Sequence, residues 1–135
     1  AIRIAKKHGK LIILNPAPVR ETSNYILENV DYFTPNEFEA SSLSDKSNLI
    51  ITLGKNGCLI KETGEIIPSF NAGKVVDTTG AGDTFNGTLA TLLGDGYSIK
   101  ETVEIATIAA GIGVTKKYAV SSIPKKEEVF SYYSK

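Results

Sequence analysis

Residues 75–87 read VVDTTGAGDTFNG: two valines, the polar run Asp77-Thr78-Thr79, the small residues Gly80-Ala81-Gly82, then Asp83 and the start of an apolar stripe. Phe85, Leu89, Leu92 and Leu93 recur at offsets of four, seven and eight, which is the spacing of a helix that buries one face. The stretch is a loop that delivers the chain into a helix, and Gly94 and Gly96 stop that helix. On the N-terminal side, LIILN (11–15), VDYFT (30–34) and LIITL (49–53) are apolar runs of strand length. Helical stretches at 21–29 and 36–43 separate them. Strand, helix, strand, helix, strand in this rhythm predicts a parallel sheet with helices on its faces. The 36–48 connection is close to the minimum of about a dozen residues for a parallel crossover, so either its helix is short or a segment has been removed. CLIKETGEIIP (58–68) reads as a hairpin turning at 62–65 on Gly64, and residues 68–76 run extended into the opening loop.

Beyond that loop, Ser98 with Glu101 three residues later is a capping box, and it starts a helix over 98–114. Ala106, Ala109, Ala110 and Gly113 share one face of it, suited either to tight packing or to a ligand. Pro124 opens a last helix carrying Val129, Phe130 and Tyr133. The chain has 135 residues, with 15 Lys plus Arg balancing 15 Asp plus Glu. No net field attracts nucleic acid or an anionic membrane. The single cysteine, Cys58, cannot form an internal disulfide and sits in a strand pattern. Without an apolar run of about 20 residues or a leader-like start, the sequence reads as a soluble, cytoplasmic protein. The opening AIRIAKKHGK reads as a helix already under way.

Three chemistries place glycines before a helix. A dinucleotide fingerprint needs a third glycine where Phe85 stands, and a P-loop needs a lysine where Thr88 stands. Both fail. The backbone of Gly80, Ala81 and Gly82 can still converge its N–H groups at a helix start, where partial positive charge favours an anion. Asp83 at the same terminus has two uses: it can cap the helix, or it can accept the proton of a hydroxyl that attacks a phosphoryl group held there.

DTTGAGDTFNG resembles the second signature of the ribokinase-like carbohydrate kinases, the phosphofructokinase-B family. NPAPV, TPNEFEA, TLGKNG and GVTKKYAVSSIP resemble further segments of that family in the same order, over nearly the whole chain. The resemblance implies a three-layer α/β/α sandwich around a mostly parallel sheet, Rossmann-like and here partial. It equates residues 1–135 with the C-terminal, nucleotide-binding part, the N-terminal sugar-binding part and lid being absent. It implies transfer of the γ-phosphoryl of ATP to a sugar hydroxyl, first of all that of D-ribose. Fructose or nucleoside kinase activity and a catalytically silent nucleotide-binding fragment are the alternatives. By position, Asp83 matches the catalytic base and sugar contact, and Gly80, Ala81 and Gly82 match the anion hole. Thr52, Leu53, Gly54, Lys55, Asn56 and Gly57 match the segment lining the ATP site, with Gly54 and Gly57 admitting close approach of the nucleotide; Thr107 falls near the adenine.

Asn36 and Glu39 match the N-x-x-E motif of the magnesium and phosphate region, and Asn36 also reads as an N-cap. Asp77, Thr79, Gly113, Lys116, Tyr118 and Ser122 match a potassium site built mostly of carbonyls. Tyr118 stands where the family usually has glycine, and a positive φ there would cost about 1–2 kcal/mol. The partners implied are ATP and a small sugar, with homodimerisation through the lid.

Overall fold

The computed structural model describes residues 1–18 and 21–134; Val19, the last residue of NPAPV, lies outside the described residues. The chain divides into two compact units, Ala1–Gly54 with Leu59–Ile66, and Lys55–Cys58 with Ile67 onward.

In the first unit α1 (Ile2–Lys7) precedes β1 (Ile13–Leu14), α2 (Asn24–Asn29), β2 (Tyr32–Phe33), α3 (Glu37–Ala40) and β3 (Ile50–Thr52). β1 and β2 are parallel, with Ile13 opposite Tyr32 and Leu14 opposite Phe33. Parallel bridges Phe33 to Leu49 and Asn36 to Thr52 continue the pattern to β3. The expected strand, helix, strand rhythm is therefore present with shorter elements. α2 begins at Asn24 because the Ser23 side chain accepts the Ile26 N–H as its cap. A continuous apolar run such as 11–15 suits a strand buried on both faces, but Ile13 and Leu14 are only half-buried. β1 is the outer strand of its pair, which leaves it less covered than a central strand. The crossover from β2 to β3 is as short as its sequence requires, since α3 passes directly into a 3-10 turn at Ser41–Leu43. Ile12, Val30, Phe33, Leu43 and Leu49 form the core, with Ile2, Leu14, Ile26 and Leu27 packed against it. β4 (Cys58–Ile60) and β5 (Glu65–Ile67) follow β3 in the strand order β3-β4-β5, and Gly64 turns between them at φ 72°.

The second unit is helical, with α4 (Ala81–Gly94), α5 (Ile99–Gly113), the short α6 (Ala119–Ser122) and α7 (Lys126–Tyr133). The apolar stripe read from the sequence is the buried one: Phe85, Leu89 and Leu92 are at most 5% exposed. Leu92, Ile105, Ala109, Ile112 and Val129 make the core of this unit, joining α4, α5 and α7. On the small face of α5, Ala106, Ala109 and Gly113 are buried and Ala110 is half-buried; on another face, Gly111 lies so close to the Phe70 carbonyl that a side chain has no room. Cys58 is buried, and burial pushes its thiol up to about 12. Among the described residues, no helix is long and apolar enough to cross a membrane.

Candidate active site

The second unit holds the loop quoted at the outset. Gly80 is the residue before α4 and takes φ 78°, a left-handed conformation that glycine adopts without steric cost. A methyl group there would sit 3.2 Å from the Ala119 Cβ, so the position is also close-packed. With glycine at the cap, no side chain satisfies the first turn of α4. The Ala81 N–H donates to the Thr78 carbonyl at 3.2 Å, and the Thr84 N–H to Gly80 at 2.9 Å. Of the residues expected to form the anion hole, Ala81 has its donor taken by the turn at Thr78, while the N–H groups of Gly80 and Gly82, with that of Asp83 beside them, have no acceptor among the described residues.

Asp83 is exposed and its carboxylate makes no hydrogen bond or ion pair with the described residues. It does not accept a first-turn N–H as a capping carboxylate would. Asp83 lines a cavity of about 530 Å³ with Gly80, Thr84, Gly87 and Thr88 of the α4 segment, Ile105 and Ala109 of α5, and Val129 and Phe130 of α7. That volume is in the range of small-molecule sites. The sequence signal for this wall is a four-residue recurrence, Asp83, Gly87 and Thr91, on a different face of α4 from the apolar stripe.

The loop is held from its other end. The Asp77 Oδ1 accepts the Thr79 N–H at 2.9 Å. The N–H and hydroxyl of Thr79, and then the N–H of Tyr118, hold the Asp77 carboxyl below the usual carboxylate range. Val114 accepts N–H bonds from Val76 at 2.8 Å and Asp77 at 3.2 Å. Tyr118 does adopt positive φ, at 67°, and its side chain is 75% exposed. Of the carbonyls matched to a cation, that of Gly113 accepts the Lys116 N–H at 3.1 Å and that of Tyr118 the Ser122 N–H at 2.9 Å. The Lys116 ammonium points instead to α7, pairing with Glu128 at 3.1 Å. Thr107 is buried and its hydroxyl donates to the Val103 carbonyl at 2.7 Å, so its polar atom is used within α5.

In the first unit, Asn36, beyond the carboxyl end of β2, and Thr52, the last residue of β3, are bridge partners, at the edge of a parallel sheet where ligands bind. Asn36 caps α3, its Oδ1 accepting the Glu39 N–H at 2.8 Å while the Glu39 Oε2 accepts the Asn36 N–H at 2.9 Å. The N-x-x-E spacing is thus a closed capping box, with Glu39 only 8% exposed. After β3, Gly54 opens a 3-10 turn at φ 56° with open space at its Cβ position. Gly57, expected to admit the nucleotide, is buried, and the backbone of Ile67, Pro68 and Ser69 fills its side-chain position. Its missing side chain serves packing in the second unit, whereas Gly54 is the open one.

The pfkB family of carbohydrate kinases matches residues 1–126, and the chain belongs to that family. Ribokinase of Haemophilus influenzae is 38% identical over 154 aligned positions, covering 98% of this chain and 50% of that protein. The crystal structure of ribokinase from Thermotoga maritima superposes with a TM-score of 0.85 at 35% identity, over 99% of this chain and 52% of that one. Arabidopsis thaliana ribokinase, solved with ribose and ATP, superposes with a TM-score of 0.82 at 28% identity, over 96% of this chain and 50% of that one. The fold is the α/β fold of the ribokinases, in part: the chain spans about half the length of these relatives. The 154 aligned positions also exceed the 135 residues of the chain, so the Haemophilus protein has internal residues without counterpart here, in keeping with the short β2–β3 connection.

Proposed function

We propose that this chain is the nucleotide-handling part of a cytoplasmic, ATP-dependent sugar kinase, and that D-ribose, converted to ribose 5-phosphate, is its substrate in the intact protein. The observation that carries the reading is the unengaged carboxylate of Asp83 on the same helix turn as the open N–H groups of Gly82 and Asp83. The sugar hydroxyl loses its proton to Asp83 as its oxygen bonds to the γ-phosphorus of ATP. The bond from that phosphorus to the bridging oxygen breaks, and ADP leaves. Charge on the transferred phosphoryl meets the two open donors and the positive end of α4, which spans 14 residues.

In the first unit, Asn36, Thr52, Leu53 and the open Gly54 serve the nucleotide; in the second, Lys55 and Asn56 continue that segment, and Thr107 lends the α5 backbone and methyl group to the adenine side. Magnesium fits as an ion carried by the ATP phosphates and reached through water. Among the described residues no cluster of three His, Cys, Asp or Glu side chains could hold it directly, and Glu39, with one oxygen in the capping box, suits water-mediated orientation. When bound, it neutralises phosphate charge. Potassium is the finer expectation, held by carbonyls of Asp77, Thr79, Gly113, Lys116, Tyr118 and Ser122. The engaged carbonyls and the strained Tyr118 make that site weaker than one built on glycine.

In the intact enzyme Asp83→Asn is expected to lower kcat by about 10²-fold or more with KM for ATP within a few-fold, since a general base acts in the chemical step. Coupled-enzyme measurement of ribose-dependent ADP formation checks this, and near-normal kcat returns Asp83 to a passive helix residue.

A further inference from the structure

We draw no further inference here: the strongest candidate, the apolar far end of the cavity between α4, α5 and α7, lined by Leu92, Ile105, Val129 and Phe130, is continuous with the site already described, and nothing in the structure shows what covers it.

Discussion

Two helix starts in this chain, α3 and α4, solve the same problem in opposite ways. Every α-helix begins with N–H groups that have no partner within it. At α3, Asn36 and Glu39 satisfy each other's backbone reciprocally, and the helix start is closed. At α4, glycine replaces the capping side chain, and the donors of Gly82 and Asp83 remain open beside a free carboxylate. Closing a start stabilises the fold by about 1 kcal/mol per cap. Leaving one open forgoes that and keeps donors for a ligand.

If this contrast is right, changes at the open start should alter rate and changes at a closed start should alter stability. The largest effect is that of Asp83→Asn on kcat, and the comparison sharpens it. Because the carboxylate makes no hydrogen bond or ion pair among the described residues, the same variant should shift unfolding free energy by less than about 0.5 kcal/mol, measured by urea denaturation. A cap-sized stability loss there would erase the distinction between the two starts.

Tyr118→Gly comes next. Relief of the positive φ contributes about 1–2 kcal/mol, partly offset by the entropy of glycine in the unfolded chain, for a net gain near 1 kcal/mol. The half-activating potassium concentration should fall by up to about tenfold. Titration with potassium chloride against tetramethylammonium chloride at fixed ionic strength separates binding from screening. Identical responses to the two salts in both variants would mean that no cation acts at this turn.

The smallest effect belongs to α5, whose start is closed by Ser98 and Glu101. Ser98→Ala should cost about 1 kcal/mol of stability and leave kcat unchanged. The Glu101 carboxyl is held below its usual range by the Ser98 hydroxyl and then by the Ser98 N–H. A depressed folded-state value means that its contribution is complete at neutral pH and fades as acid carries the group through that value. The difference between Ser98→Ala and wild type should therefore narrow in acid, followed by thermal melts from pH 7 downward.

Much of this arrangement was legible because it is local. S-x-x-E at Ser98 and N-x-x-E at Asn36 report closed helix starts through side chains that reach only one turn. The α4 stripe reports its buried face by periodicity, and the exchange of glycine for tyrosine at 118 foretold a strained backbone. The misses depend on chain segments far apart in sequence. Nothing near Gly57 says that the backbone of Ile67 to Ser69 fills its side-chain space. Nothing near Lys116 points to Glu128, and α6 is too short to leave a periodic signal. The engaged donor of Ala81 was missed for a different reason. Its partner Thr78 is close in sequence, but turn geometry rather than residue type decides the bond.

The burial of Cys58 has a practical side. With its thiol pushed up to about 12, roughly one molecule in 10⁵ carries the reactive thiolate at pH 7, and no second cysteine competes. Slow reaction with maleimides is the expected outcome for this chain. A cysteine placed at Glu62, in the exposed turn between β4 and β5, would carry a fluorophore alone, and a single added mass on the labelled protein would show it. Within these 135 residues, such a label would report on the turn between β4 and β5 without interference from Cys58.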